Sequence, residues 1–196
     1  MTKLHPKPRT RRGPFQVVGT RRVYQNPWMS VREDRVIRPG GRRGIFGVVE
    51  ILPGVSIVAL DDRGYCCLIR EFGYALGRSF LQLPAGSVDR GEKPLPAAKR
   101  ELREETGLIA RRWHSLERIH YYTAILDTSE HLFLALGARK VARPSSDERA
   151  LIRVMWVPLS KAAAMAARGS IRCAESATAI LRADRYLERI KHPFGK

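Results

Sequence analysis

The chain has 196 residues, enough for one domain with a hydrophobic core and short of the length typical of two full domains. Hydrophobic residues make up 44% and charged residues 28%, which excludes the disordered, collagenous and disulfide-rich classes. Because no apolar run approaches the roughly 20 residues that span a bilayer and no apolar signal-peptide core is present, we expect a cytoplasmic protein without membrane contact. The cysteines (Cys66, Cys67, Cys173) suit neither a disulfide framework nor a metal knuckle, and they are predicted to be reduced packing residues.

Basic residues are concentrated near the N-terminus. The formal net charge is +17, and residues 1–43 hold twelve Lys or Arg against two acidic residues. Such a patch attracts polyphosphates, whether nucleotides or nucleic acids, through a force that salt weakens. A solvated tail that keeps the protein soluble is an equal alternative, so charge alone assigns no partner. Residues 1–14 lack apolar periodicity and are predicted to be a flexible basic arm.

Strands are predicted for the first half of the ordered chain. Residues 17–51 alternate β-type and polar residues and are interrupted by a turn signal, Pro-Gly-Gly, at 39–41. Apolar runs at 55–60 and 65–70 flank the turn sequence at 61–64 and indicate a hairpin of buried strands.

One central helix is predicted between the two halves of the chain. Apolar residues recur at helical spacing over residues 95–106, a proline can occupy the first turn, and Gly107 is typical of a left-handed helix end. Short apolar runs at 132–136 and 151–157 then predict further strands.

Two helices are predicted at the C-terminal end. Ser160 is expected to cap an alanine-rich helix that ends at Gly169. A last helix over residues 174–191 is expected to present four apolar side chains to the core: Ala177, Ile180, Leu181 and Leu187. Sheet, one helix, more sheet and two helices predict a mixed α/β sandwich.

Three glutamates crowd the end of the central helix. Glu101 and Glu105 are i,i+4 neighbours, Glu104 lies between them, and all three are near the negative end of the helix dipole, which disfavours carboxylates. Arg100 is placed to pair with Glu104, whereas Glu101 and Glu105 have no obvious partner on the helix. Carboxylates of this kind hold Mg²⁺, especially when substrate phosphates share the coordination, although most charged helix faces are only solvated surface.

The wider spacing favours the metal interpretation. From Gly86 to Leu108 the residues fit GX5EX7REUXEEXGU, with U an apolar residue, and every position is filled. Seven fixed residues match by chance about once in a million chains of this length. This pattern is the Nudix box.

The chain therefore resembles the Nudix hydrolases, and it is most similar to the ADP-ribose and nucleoside-diphosphate-sugar pyrophosphatase branch. Further segments carry the likeness from about residue 16 to 190: VYQNPW (23–28), LIREF (68–72), LPAG (83–86), SEHLFLA (129–135) and WVPL (156–159). The resemblance implies an α/β/α sandwich with a mixed sheet over residues 15–196. It also implies a homodimer, in which strands within residues 15–52 complete the partner's site.

The resemblance also assigns roles to residues of the box. It implies Mg²⁺, with Mn²⁺ as the alternative, bound by Glu101 and Glu105, aided by the backbone carbonyl of Ala85, with Glu104 nearby and oriented by Arg100. Glu92 is expected to pair within the loop and helix, and Gly86 and Gly107 to be backbone positions. Outside the box, relatives carry a general base in the loop 145–150. Glu148 is the candidate here, with Asp147 second and a structural salt bridge as the alternative.

Substrate contacts are predicted outside the box as well. Arg70 is the candidate for the diphosphate, Glu130 for the sugar hydroxyls, and Tyr24 and Trp28 for stacking on the base, although strand aromatics more often belong to the core. The chain departs from the branch at Gly73, Gln82 and Ala124, where relatives often have Arg, Glu and Pro.

Three functions follow as hypotheses. The first is Mg²⁺-dependent hydrolysis of ADP-ribose or a related nucleoside-diphosphate sugar to a nucleoside monophosphate and a sugar phosphate. The second is hydrolysis at the 5′ end of an RNA held by the basic N-terminal region, a nucleic-acid role that is not favoured. The third is a non-catalytic nucleotide-binding regulator.

Overall fold

The computed structural model describes residues 10–145, 152–192 and 194. The strands are β1 (Thr10–Arg12), β2 (Phe15–Gln25), β3 (Met29–Ile37), β4 (Arg43–Ile51), β5 (Gly54–Leu60), β6 (Tyr65–Gly73), β7 (Arg78–Gln82), β8 (Ala85–Ser87), β9 (Leu108–Ile109), β10 (Arg112–Ile119), β11 (Leu126–Asp127), β12 (Glu130–Leu136), β13 (Arg139–Lys140) and β14 (Arg153–Pro158). The helices are α1 (Pro94–Thr106), α2 (Leu159–Ala167) and α3 (Ala174–Arg189), and Tyr74–Leu76 form a short 3₁₀ turn.

The chain divides into two compact units, and the expectation of one domain over residues 15–196 stays a prediction. The first unit combines residues up to Leu52 with His120–Thr128, and the second contains Pro53–Ile119 and the chain from Ser129 onward. Of the helices in the described part of the chain, none is both long enough and apolar enough to cross a membrane.

The first unit is a five-stranded sheet in the order β1-β2-β3-β4-β11, antiparallel except for the parallel pair β4–β11. The turn predicted at 39–41 joins β3 to β4. A second turn that the alternation did not indicate separates β2 from β3, where the Asn26 side chain accepts the N–H groups of Trp28 and Met29. Residues 10–12, predicted within the flexible arm, form a strand in register with β2; residues 1–9 lie outside the described part.

The second unit is built on a mixed sheet in the order β10-β12-β5-β6-β14, with β7 paired to β6 and β8 to β5. The central pair β5–β12 is parallel. The predicted hairpin at 55–70 is confirmed as β5 and β6. Its turn is held by the Asp61 carboxylate, which accepts the N–H groups of Arg63 and Tyr65 at 2.9 and 2.8 Å.

Helices cover both faces of this sheet, so the α/β/α sandwich is confirmed within the second unit. One core joins α1 to the odd-numbered residues of β5 and to Cys67. The other joins α2 and α3 to Val58, Leu60, Cys66 and Leu68. Because neighbouring residues of a strand point to opposite faces, the sequence position of a β5 or β6 residue decides which helical layer it meets.

The predicted C-terminal end of α1 agrees with the structure, whereas the predicted cap of α2 and one predicted core residue of α3 do not. Gly107 ends α1 with a left-handed φ of 72° and donates its N–H to Arg103, as predicted. The expectation that Ser160 caps α2 is wrong, because Pro158 occupies the cap position and Ser160 lies inside the helix. Leu181 was also wrongly assigned to the core, since it is 40% exposed while Ile180 and Leu187 are buried.

Candidate active site

The Nudix box folds as a loop, a short strand and a helix that pack together. Strand β8 pairs with the start of β5, so that Gly86 lies opposite Val55. Helix α1 buries Ala97, Ala98 and Leu102 against the same face of the sheet. This packing fixes the rotation of α1 about its axis and brings its glutamates next to the loop.

Gly86 is required by close approach to Glu101. A Cβ atom at residue 86 would overlap the carboxyl group of Glu101, so any larger residue here would displace that carboxyl group. The prediction of a backbone role for Gly86 is therefore confirmed.

Glu105 lies deeper than the other glutamates of the helix. It is 8% exposed, and its Oε2 accepts the backbone N–H of Ala85 at 3.1 Å. On the sheet side, burial raises the pKa of the Cys67 thiol to about 12, and the nearby Glu105 charge contributes to that rise. Glu105 thus links the loop at residue 85 to the sheet face beneath α1.

Arg100 organises the remaining carboxylates. Its guanidinium donates to Glu101 at 2.7 Å, to Glu92 at 2.9 Å and to Glu104 at 3.4 Å. The same group also donates to the carbonyl of Ser87 at 2.9 Å. The expectation that Glu101 has no partner on the helix is wrong, because Arg100 donates to the adjacent Glu101 as well as to Glu104 one turn further on.

These contacts give the carboxyl groups different proton affinities. The hydrogen bond from Arg100 lowers the pKa of Glu92, which also accepts the backbone N–H of Asp89, so Glu92 holds the loop to the helix as predicted. Burial raises the pKa of Glu101 and outweighs the lowering by Arg100. A charged, half-buried Glu101 is therefore costly unless a further cation approaches it.

The donor chemistry of this cluster fits a hard divalent cation. Glu101, Glu104 and Glu105 offer carboxylate oxygens, and Mg²⁺ typically takes one or two carboxylates together with water and substrate phosphates. Within the described residues no three acidic, histidine or cysteine side chains already converge as a metal-binding group. Arg100 and the Ala85 N–H hold the carboxylates instead, so a cation would compete with these two donors.

Glu130 lies on the opposite face of the sheet. It is 5% exposed, its Oε1 accepts the Ser56 hydroxyl at 2.6 Å, and a Cβ at residue 54 would overlap its carboxyl group. Burial raises its pKa to about 7, and the charge of Glu175 on α3 contributes. Its supporting residues, Gly54 and Ser56, were missed; the buried serine within an apolar strand was the available signal.

Arg70 also lies on the face away from α1. It shares the side of β6 with Cys66 and Leu68, and it lines a cavity beside the end of α2. The structure therefore does not bring Arg70 together with the glutamates of α1. Residue 73, where relatives often have a second arginine, is an even number of positions from Cys67 along β6. It therefore belongs to the strand face that α1 covers.

The remaining predicted site residues belong to the first unit or lie outside the described residues. Tyr24 and Trp28 belong to the first unit, where they are 53% and 75% exposed and thus not core residues. Glu148 and Asp147, the candidate bases, lie outside the described residues.

Comparison with known proteins identifies the class that this fold and acidic helix define. The Nudix domain family profile matches residues 51–175, and a profile described as the nucleoside diphosphate sugar hydrolase N-terminal domain matches residues 15–49. The chain belongs to the Nudix family and is a Nudix hydrolase.

Individual relatives cover most of the chain. It is 36% identical to an ADP-ribose pyrophosphatase of Mycobacterium tuberculosis over 80% of its own length and 77% of the relative's. It is 26% identical to an ADP-ribose pyrophosphatase of Bacillus subtilis, covering 84% and 90% of the two chains. A crystal structure of an ADP compounds hydrolase matches with a TM-score of 0.79 at 19% identity, covering 97% and 98%, which supports the fold.

Proposed function

We propose that this Nudix hydrolase cleaves the diphosphate bond of ADP-ribose or a related nucleoside-diphosphate sugar, releasing a nucleoside monophosphate and a sugar phosphate. The proposal rests chiefly on the assembly of Gly86, Glu101 and Glu105 at the α1–β8 contact. Two relatives named as ADP-ribose pyrophosphatases, each matched over more than three-quarters of this chain, support the substrate class.

The metal role belongs to the carboxylates of α1. We assign Mg²⁺, with Mn²⁺ as the alternative, to Glu101 and Glu105 with the carbonyl of Ala85, and place Glu104 beside them. Such a cation neutralises phosphate charge and activates water for attack at phosphorus. The raised pKa of Glu101 supports this assignment, because a buried carboxylate gains most from an added positive charge.

The chain's own residues would position the reactants. Arg100 holds Glu104 and Glu101 through one guanidinium, so these carboxylates are positioned before the substrate binds. Glu148 is our candidate for the general base that removes a proton from the attacking water.

Substrate recognition is assigned to residues outside the box. Glu130 would accept hydrogen bonds from sugar hydroxyls, and the exposed rings of Tyr24 and Trp28 would stack on the base. Arg70, assigned to the diphosphate, and Glu130 share the face of the sheet that α2 and α3 cover, so both roles require the substrate to reach that face.

A substrate panel tests the reaction. We would incubate the full chain with ADP-ribose, several nucleoside-diphosphate sugars and a 5′-triphosphorylated RNA in Mg²⁺, and identify products by ³¹P NMR. Release of nucleoside monophosphate and sugar phosphate supports the proposal. Cleavage of the RNA alone would favour the 5′-end function, and binding without any cleavage would favour a regulator.

We also propose a homodimer in the cytoplasm. The match of residues 15–49 to an N-terminal domain profile supports a specialised role for these strands, which we infer to be dimerisation. The unpaired Cys66 and Cys67 thiols are buried, as expected in a reducing compartment. Light scattering after size exclusion would test the dimer, and a monomeric mass would contradict it.

A further inference from the structure

A basic cavity opens on the face of the second unit's sheet that lies away from the acidic helix. It has a volume of about 530 Å³ and lies between the β6–β7 hairpin and the loop that joins α2 to α3. Its charged lining residues, counted over the described chain, are Arg70, Arg78, Arg168 and Arg172. We call this cavity the arginine pocket.

Within the part of the chain that the structure describes, the arginines of this pocket have no acidic partners, unlike Arg100 and Arg32. Arg100 is shared among Glu92, Glu101 and Glu104, and Arg32 on β3 pairs with Asp34 and Glu50. No arginine of the pocket forms an ion pair with any carboxylate in the described ranges 10–145 and 152–192. Gathering four guanidinium groups in one concavity is unfavourable without a counter-charge, and an anion would supply it.

Two of the guanidinium groups are oriented by neighbours that carry no charge. Arg168 Nε donates to the Ser170 hydroxyl at 3.2 Å, and the Arg78 guanidinium lies 5.2 Å from the centre of the Phe80 ring. A guanidinium held by stacking or by one neutral hydrogen bond keeps its remaining N–H donors for a ligand. The pocket thus presents N–H donors on Arg168 and Arg78 that neighbouring residues orient before a ligand binds.

The pocket lies on the opposite face of the sheet from the metal-binding carboxylates proposed on α1. Arg70 shares its strand face with Cys66 and Leu68, which pack beneath α2 and α3, whereas Glu105 approaches Cys67 on the other face. An anion in the arginine pocket therefore does not need the divalent cation assigned to α1.

We propose that the arginine pocket binds a compact oligophosphate, a short chain of consecutive phosphate groups such as inorganic tripolyphosphate or the phosphate chain of a nucleotide. Four positive charges around one concavity suit several linked phosphates better than a single one. The cavity has the size of a small-molecule site, which favours a compact ligand over an extended nucleic-acid strand.

The test measures binding of inorganic tripolyphosphate to the full chain by calorimetry in EDTA, which keeps divalent cations from α1. The double variant Arg168→Ala/Arg172→Ala removes two exposed guanidinium groups of the pocket. The matched control, Arg112→Ala/Arg118→Ala, removes the same charge from exposed positions on β10, which lies at the opposite edge of the sheet. The variant Arg168→Lys/Arg172→Lys keeps the charge and guards against loss of folding.

We expect the alanine pair in the pocket to weaken tripolyphosphate binding about tenfold or more, the β10 control to stay within about twofold, and the lysine pair to fall between them. The proposal is overturned if the wild-type chain does not bind tripolyphosphate, or if both alanine pairs weaken binding equally. An unphosphorylated eight-nucleotide RNA is the second probe. If the pocket variant loses only RNA binding, a nucleic-acid site replaces the oligophosphate site.

Discussion

Glu130→Gln should make the protein more stable at alkaline pH. The carboxyl group is 5% exposed, and burial raises its pKa from about 4.5 to about 7. A carboxyl group with a raised pKa binds its proton more tightly in the folded state. Stability is therefore lost as the pH rises from about 4.5 through 7, because the folded protein must ionise a buried group.

The size of the effect follows from the shift. The pKa rises from about 4.5 to about 7, and each pKa unit corresponds to about 1.4 kcal/mol. Between pH 5 and pH 8 the wild type therefore loses about 2–3 kcal/mol of unfolding free energy. Glutamine stays neutral over this range and retains an oxygen that accepts the Ser56 hydroxyl. The difference in unfolding free energy between variant and wild type should thus grow by that amount from pH 5 to pH 8.

Thermal unfolding of the metal-free protein at the two pH values measures this difference. Comparing two pH values cancels any constant packing effect of the amide. We expect the melting temperature of Glu130→Gln, relative to wild type, to rise by about 5–10 °C between pH 5 and pH 8. The exposed Glu117→Gln serves as the control. An equal offset at both pH values would refute the reasoning that burial governs Glu130.

Three further substitutions test the box and its helix. Gly86→Ala places a methyl group on the Glu101 carboxyl, so initial hydrolysis rates should fall about 100-fold; an unchanged rate would contradict the close approach. Arg100→Ala should cost about 1–3 kcal/mol in urea unfolding at pH 7 and raise the pKa of Glu92 in a ¹³C NMR titration. Because the lowered pKa of Glu92 stabilises the fold only above its unfolded value, this deficit should shrink on acidification below about pH 4. Gly107→Ala should lower the free energy of unfolding by about 1–3 kcal/mol, because φ is 72° and the added Cβ would overlap the Ala142 carbonyl. Gly91→Ala, whose φ is 83° but whose added Cβ would meet open space, should lower it less, and equal losses would contradict the overlap.

Local signals explain which parts of the fold were predictable. The hairpin at 55–70 and helix α1 have turn residues, prolines and a terminal glycine whose effects act within a few residues. Strand β10, over Arg112–Ile119, was missed because its polar residues form a strand through pairing with β12, which adjoins it only in the folded protein. Leu181 was misplaced because helical periodicity alone does not set how wide the buried stripe is.

The candidate site also has one part that the sequence predicts and another that it does not. The spacing of Glu101, Glu104 and Glu105 follows from helix geometry, and so the cluster was predictable. The bend of Arg100 back to Glu101 depends on a side-chain rotamer, and the face on which Arg70 and Glu130 lie depends on strand register. Neither the rotamer nor the register is encoded by a local sequence pattern.

Turnover of ADP-ribose by Glu105→Gln tests the central claim most directly. Glutamine retains an oxygen for the Ala85 N–H, and the substitution removes a repelling charge, so the metal-free melting temperature should be unchanged or higher. With Mg²⁺ at saturation we expect AMP release to fall about 100-fold or more, while the control Glu188→Gln on α3 keeps wild-type turnover. If Glu105→Gln released AMP within about twofold of the wild-type rate, the carboxylates of α1 would not carry the reaction.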